Sequence, residues 1–210
     1  WRMRIAPLRD GLADAGLPPI ASLSTILSPY QRRGHAWLTA RLSAGIGGIL
    51  ADDMGLGKTV QILSAVASLR AHNGEDANAP VLVVAPTSVV GVWIEQARQF
   101  TPQLRVRGVT ETATRRGTTI AQEAANADLL VTSYTLARLE AEQWNRVRLG
   151  GVVIDEAQAV KNPRTATYRA LRDLEAPWKL AVSGTPIENS LNDLWSLLSL
   201  TCPGLLPPWD

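Results

Sequence analysis

A lysine and a threonine follow two closely spaced glycines near the middle of an otherwise apolar stretch. Residues Ile46–Gln61 read IGGILADDMGLGKTVQ. Glycines let backbone N–H groups come close to phosphate oxygens, and the start of a following helix adds a favourable dipole. Val60, Leu63, Val66 and Ala67 supply the helical pattern. In such a loop Lys58 reaches the β- and γ-phosphates of a nucleoside triphosphate, and the Thr59 hydroxyl ligates Mg²⁺. The strict pattern has a further glycine five residues before Gly57, where this chain has Asp52. Taken alone, the stretch also reads as a glycine-rich turn with no ligand.

A second group stands downstream. In GGVVIDEAQ (150–158) four apolar residues lead into Asp155 and Glu156. They follow the glycine loop by roughly one hundred residues, a usual interval between phosphate loop and metal carboxylate in P-loop enzymes. In that role Asp155 holds Mg²⁺ together with the loop hydroxyl, and Glu156 orients or deprotonates the attacking water. The plainer reading is an acidic pair opening a helix, favourable with its dipole. Ser183, Gly184 and Thr185, in WKLAVSGTP, have turn chemistry. Beside Gln158 at one sheet edge they would instead form a hydrogen-bond link that senses nucleotide state. Gln31 carries a planar amide of the right shape to read a nucleobase edge, although on its own it is better described as a solvated surface glutamine.

These groups need a scaffold that gathers them. Residues 1–27 read as a preamble with one short helix near Asp10–Gly16, and 28–210 as a single lobe. Pro29 suits a helix start and Gly45 a stop, with Trp37, Leu38 and Leu42 on one face. After the glycine loop a helix runs to about His72. VLVVA (81–85) is a continuous β-branched run, the pattern of a strand buried on both faces. Pro86-Thr87-Ser88 stops it, and a helix spans Val89–Phe100. A weaker strand (104–109) precedes a loop whose Arg115 and Arg116 read as solvated. Then come a helix Ile120–Asn126, a strand ending in Thr132-Ser133-Tyr134, and a helix Leu136–Asn145. Beyond the Asp-Glu strand, a helix spans Thr165–Leu174. After the Ser-Gly-Thr strand, a closing helix Ser190–Leu200 has Leu191, Leu194, Leu197 and Leu198 on one face. This alternation predicts an α/β fold with a mostly parallel sheet and helices on both faces. Ligands bind at the carboxyl ends of such strands, so five segments are expected along one edge: DDMGLGKT, PTS (86–88), TSY (132–134), DEAQ (155–158) and SGT (183–185).

Composition narrows the class. A chain of 210 residues with 46% hydrophobic residues can bury one good-sized core. The net charge of +2 and pI near 9.0 are weak pointers to nucleic acid. Lysine occurs only at 58, 161 and 179. The single cysteine, Cys202, excludes a disulfide framework and a cysteine metal site, which fits a reducing compartment. His35 and His72 stand too far apart in sequence to suggest a ligand pair. No apolar run approaches membrane-spanning length, and the opening Trp1 reads as the start of a fragment.

The ordered set LSPYQRRGHAWL, ADDMGLGKTVQ, VLVVAPTSVVGVW, DLLVTSYTLAR, VVIDEAQAVKNP and LAVSGTPIENSLNDLWSLLSL resembles the first RecA-like lobe of Swi/Snf-type DNA-dependent ATPases, among the superfamily 2 helicase-like proteins. It covers about residues 27 to 202, and Asp52 in place of glycine is usual in that family. The resemblance implies a RecA-like P-loop NTPase lobe that uses ATP and Mg²⁺. It places Gln31 in the adenine-side motif, and Asp53, Met54, Gly55, Leu56, Gly57, Lys58 and Thr59 in the phosphate loop. Asp155 and Glu156 become the metal and water residues, and Gln158, Ser183, Gly184 and Thr185 the coupling set. Pro86, Thr87, Ser133 and Tyr134 would lie along a strand of duplex DNA, positioning it through its phosphates. Lys161 is either part of that surface or a solvated helix-end lysine.

The departures are Asp53 for the commoner Glu, Gln158 for His, and Glu188 for Gln. Relatives also carry a second RecA-like lobe that supplies an arginine to the transition state, worth ~10³–10⁵ in rate. These 210 residues alone are therefore expected to bind nucleotide weakly and turn over slowly. The implied activity is DNA-stimulated ATP hydrolysis that moves or remodels protein–DNA complexes, in a bacterial nucleoid or a eukaryotic nucleus. The alternatives are a strand-separating DNA or RNA helicase, a non-hydrolysing ATP-sensing module, and a small-molecule kinase. The last leaves Ser183–Pro186 and the Gln31 segment unexplained.

Overall fold

The computed structural model describes residues 16–73, 79–187 and 190–207. The expected helix near Asp10–Gly16, apart from Gly16 itself, and the Glu188 departure lie outside them. The apolar runs become six strands: β1 (Gly48–Leu50), β2 (Val81–Ala85), β3 (Val106–Val109), β4 (Leu129–Ser133), β5 (Gly151–Ile154) and β6 (Lys179–Val182). They form one sheet in the order β1-β6-β5-β2-β4-β3, with every pair parallel.

Side chains on a strand alternate between the two faces, and here both faces are covered. Val81, Val83 and Ala85 of β2 enter one core with Leu63, Val66, Trp93 and Val131. Leu82 and Val84 enter the other with Leu130, Trp144, Ile154 and Leu197. The first face is covered by α2 (Pro29–Ser43), α3 (Lys58–Asn73) and α4 (Thr87–Phe100). The second carries α6 (Ile120–Ala125), α7 (Tyr134–Leu139), α8 (Ala141–Trp144), α9 (Ala166–Asp173) and α10 (Leu191–Thr201). A short α1 (Ala21–Ser24) and α5 (Ala113–Arg116) complete the helices described. Residues 17–27 pack against the body of the lobe: Leu23 and Leu27 are buried, and Ser68 donates to the Pro18 carbonyl at 3.0 Å.

Several local expectations change. Arg116 is not solvated: its guanidinium lies 3.4 Å from the buried Glu140 carboxylate and also donates to the Glu111 carbonyl. Arg115 is exposed. Glu140 also accepts from the Ala113 amide, so it ties α5 to the break between α7 and α8, where one helix was expected. On α10 the buried face is Ser196, Leu197, Leu200 and Thr201, while Leu191 is 73% exposed.

His35 is buried between α2 and α3. Ser64 Oγ donates to its Nδ1 at 2.9 Å, and its Nε2–H donates to the Leu17 carbonyl at 2.9 Å. Burial pushes its pKa below 6.5, and the Leu17 and Pro18 carbonyls recover only part of that shift. Below about pH 6.5 the unfolded chain therefore takes up a proton that the folded chain refuses. Stability falls through that window and levels off below the folded pKa. The stability gap in urea between the unsubstituted chain and His35→Gln is expected to narrow from about pH 7.5 to about pH 5.5. A constant gap would show that His35 titrates alike in both states.

Candidate functional site

Because all six strands are parallel, their carboxyl ends share one edge. Strand order then decides which loops become neighbours. β6 lies between β1 and β5, so the Ser-Gly-Thr turn falls between the glycine loop and the Asp-Glu turn. Register sharpens this: Leu50 pairs with Val182, Ala181 with Ile154, and Ile154 with Val84.

The loop from β1 to α3 turns on two glycines in the left-handed region, Gly55 (φ 83°) and Gly57 (φ 72°). At Gly57 a side chain meets a second obstacle, since a Cβ there would lie 2.6 Å from Gln31 Nε2. Gly57→Ala is expected to cost about 1–3 kcal/mol, read as a melting temperature lower by several degrees. An unchanged melting temperature would mean that the loop relaxes freely. Lys58 opens α3, and its ammonium donates to the carbonyls of Asp52 (2.6 Å) and Asp53 (3.0 Å). The Asp52 carboxylate accepts from the buried Gln61 side chain, through Nε2, at 3.0 Å. The residue that breaks the strict glycine pattern thus ties the loop to the first turn of its own helix. Gln61 in turn lies against Gly34 of α2, where any Cβ would collide with its Oε1.

Gln31 faces the loop with its amide engaged at both ends. Its Nε2 donates to the Leu56 carbonyl (3.2 Å), and its Oε1 accepts from the Ser28 amide in a capping box (3.0 Å). The solvated reading is replaced by a brace between α2 and the loop, shared with Tyr30, whose hydroxyl also donates to Leu56. Met54 is 74% exposed and reaches over Gly184, where a Cβ would lie 2.9 Å from its Cγ.

Asp155 is 9% exposed and held from several sides. Its amide donates to the Val84 carbonyl at 2.8 Å, its Oδ1 accepts from the Glu156 amide at 3.0 Å, and its Oδ2 accepts from the Trp93 indole N–H at 2.7 Å. Its own carbonyl accepts from the Tyr134 hydroxyl at 2.5 Å. Burial raises the Asp155 pKa, the Trp93 and Glu156 N–H bonds oppose the rise, and the Glu156 charge adds to it. Burial, with the charges of Asp155 and Glu156, also raises the Tyr134 pKa far above its ordinary value.

Glu156 has φ 48° and ψ 51°, the one non-glycine residue with positive φ among the described residues. That bend turns the chain into a 3₁₀ helix, Ala157–Val160. Backbone strain of this kind concentrates at functional sites. Gln158 Nε2 donates to the Glu156 carboxylate, Ser183 Oγ donates to Gln158 Oε1 at 2.8 Å, and the Thr185 amide donates to Ser183 Oγ at 3.0 Å. A continuous chain of hydrogen bonds therefore runs from Glu156 to the Ser-Gly-Thr turn.

The other expected residues divide. Pro86 is half-buried, and Thr87 and Ser88 are exposed at the start of α4. Ser133 is buried and its hydroxyl caps α7, accepting from Leu136. Tyr134 points its hydroxyl inward, so neither side chain is displayed as a DNA contact. Lys161 is not solvated either: its ammonium pairs with Asp193 at 3.2 Å, and both side chains are largely covered. Trp93 was not identified from sequence. The available signal was a tryptophan on an otherwise apolar helix face, whose N–H needs a partner once buried.

The donor set fits Mg²⁺. A threonine hydroxyl and a buried carboxylate are hard oxygen ligands, and Mg²⁺ is commonly held by one or two carboxylates together with substrate phosphates and water. Among the described residues no three His, Cys, Asp or Glu side chains converge into a cage. Asp155, whose negative charge is disfavoured by burial, is the carboxylate a divalent cation would stabilise.

A six-stranded parallel sheet with a glycine loop after one strand and an acidic pair after another defines a RecA-like P-loop lobe. The family model of the SNF2-related domain matches residues 30–209, and the chain belongs to that family. It is 37% identical over 185 residues to YwqA of Bacillus subtilis, whose name carries the words ATP-dependent helicase/translocase; the match covers 88% of this chain and 20% of YwqA. It is 38% identical over 181 residues to the ISWI chromatin-remodeling complex ATPase CHR17 of Arabidopsis thaliana, covering 84% of this chain and 17% of the relative. The Sulfolobus solfataricus SWI2/SNF2 ATPase core in complex with dsDNA superposes with a TM-score of 0.76 at 36% identity, over 86% of this chain and 36% of that one. The chain thus spans about a fifth or less of these two curated relatives. No helix among the described residues is long and apolar enough to cross a membrane.

Proposed function

We propose that this chain is the ATP-binding lobe of a DNA-stimulated ATPase that translocates on duplex DNA and remodels protein–DNA complexes. The observation that carries the reading is the hydrogen-bond chain Glu156–Gln158–Ser183–Thr185 beside the Lys58 loop, since it joins the proposed water-activating carboxylate to the Ser-Gly-Thr turn of the neighbouring strand. The family membership and the likeness to a core solved with dsDNA support the choice of polymer.

In this reading Asp53, Met54, Gly55, Leu56 and Gly57 wrap the phosphates with backbone N–H groups. Lys58 exchanges the Asp52 and Asp53 carbonyls for phosphate oxygens. Thr59 and Asp155 hold Mg²⁺, which supplies charge neutralisation at the phosphates. Glu156 takes a proton from the attacking water, and Gln31 braces the loop on the adenine side. Pro86 and Thr87 meet one DNA strand, with Ser133 and Tyr134 contributing through their backbone. Lys161 contributes there only in competition with Asp193. A second RecA-like lobe completes the site and supplies an arginine, and the protein works wherever its DNA is held, nucleoid or nucleus.

The test is steady-state ATP hydrolysis by the full-length protein with and without duplex DNA, using Lys58→Ala as the blank. A large DNA-dependent rise supports the motor. Bound ATP with no rise on DNA sinks it, and RNA becomes the next polymer. Strand displacement on a tailed duplex separates a translocase from a helicase.

A further inference from the structure

Two aromatic side chains reach Asp155 from different elements, and neither belongs to the phosphate loop or to the Asp-Glu turn. Trp93 lies on the buried face of α4 with Val90 and Ala97, and its indole N–H ends on Asp155 Oδ2 at 2.7 Å. Tyr134 is the first residue of α7, and its hydroxyl ends on the Asp155 carbonyl at 2.5 Å. One aromatic therefore fixes the carboxylate and the other fixes the peptide that carries it. The Trp93 bond lies in the interior, where water does not compete for its donor, and the Tyr134 bond is partly buried.

We infer that Trp93 and Tyr134 are positioning residues for the metal-holding carboxylate, which they aim by hydrogen bonds from the helices that follow the Pro-Thr-Ser and Thr-Ser-Tyr segments. This rests on the reading of Asp155 given above. With Oδ2 occupied by the indole and Oδ1 by the Glu156 amide, the rotation of the carboxylate is set and its remaining lone pairs face a defined direction. Tyr134 adds a constraint at the next covalent link, immediately before the strained Glu156 residue. Each aromatic also joins the site to a segment proposed to meet DNA. Trp93 stands on the same rigid helix as the exposed Thr87 and Ser88, and Tyr134 directly follows Ser133. A shift of either segment on duplex DNA reaches Asp155 through one side chain.

Trp93→Phe and Tyr134→Phe each remove a donor and keep a ring. In the full-length protein, the equilibrium affinity for mant-ATP is measured with Mg²⁺ and with EDTA, alongside ATP turnover with and without duplex DNA. Outer partners of metal ligands typically contribute on the order of 10-fold or more to metal affinity. Trp93→Phe is expected to lower the Mg²⁺-dependent gain in mant-ATP affinity by about that factor, with the EDTA affinity unchanged. Tyr134→Phe is expected to reduce the same gain severalfold, and both variants to lower the fold-stimulation by DNA. The EDTA affinity separates positioning from loss of fold, because a misfolded lobe loses both affinities. If Trp93→Phe does not fold, Tyr134→Phe alone decides. An undiminished Mg²⁺ gain in the variants overturns the inference while leaving the ATPase reading intact. An unsubstituted protein with no Mg²⁺-sensitive binding overturns both.

Discussion

Glu156→Gln in the full-length protein is expected to lower steady-state ATP turnover by about 10²–10⁴-fold, the range for losing a general base, and to leave ATP affinity nearly unchanged. The substitution is close to isosteric. A glutamine Oε1 still accepts from Gln158, so the chain of bonds to Ser183 and Thr185 persists. The left-handed backbone at 156 already holds a residue with a Cβ, and glutamine adds no new strain there. What disappears is a group able to take a proton from water. Binding is read with mant-ATP and turnover by phosphate release. Hydrolysis at the unsubstituted rate would place the base on another residue.

The second large effect belongs to Lys58. Its ammonium makes two bonds to loop carbonyls, at 2.6 and 3.0 Å. In the proposed ATP complex the same donors would meet phosphate oxygens. Bonds to charged groups contribute about 1.5–3 kcal/mol each, so losing two costs roughly 3–6 kcal/mol, about 10²–10⁴-fold in affinity. Lys58→Ala should therefore bind mant-ATP at least about 100-fold more weakly. The loop itself should survive, because Asp52 keeps its bond to Gln61 and Leu56 keeps Tyr30 and Gln31. A melting temperature close to that of the unsubstituted protein checks this. An alanine variant with full affinity would mean that the loop amides alone hold the phosphates.

The parts of the fold that could be read from sequence were those with a one-dimensional signature. VLVVA is apolar at every position because helices cover both faces of β2, and that covering is what a parallel sheet requires. A single parallel edge then collected the five strand-end segments. Contacts between distant residues were less legible. Asp52 looked like a defect because its partner, Gln61, stands nine positions on across a turn of unknown shape. Trp93 drew no notice, since nothing local shows where an indole N–H points. Arg116 looked solvated until Glu140 arrived from the break between α7 and α8. The 3₁₀ helix at Ala157–Val160 depends on the left-handed Glu156, and four residues carry no periodicity to announce it. On α10 the leucine spacing suggested a face that included Leu191, but the packing against β1 and β6 selects Ser196, Leu197, Leu200 and Thr201 instead.

The location of β6 between β1 and β5 also bears on how the lobe is assembled during synthesis. β1 has one strand neighbour, and it is the last strand of the sheet: Gly48 pairs with Leu180 and Leu50 with Val182. While the ribosome is still making the intervening chain, β2, β4 and β5 can already associate, but the strand bearing the glycine loop has no ladder to join. Pairings so distant in sequence form late, since the intervening loop must close before they contribute. The candidate nucleotide loop is therefore expected to take its final place only after β6 has been made. Until residues 179–182 emerge, the nascent chain carries β1 as an unpaired edge, the kind of element that chaperones shield and that aggregation exploits.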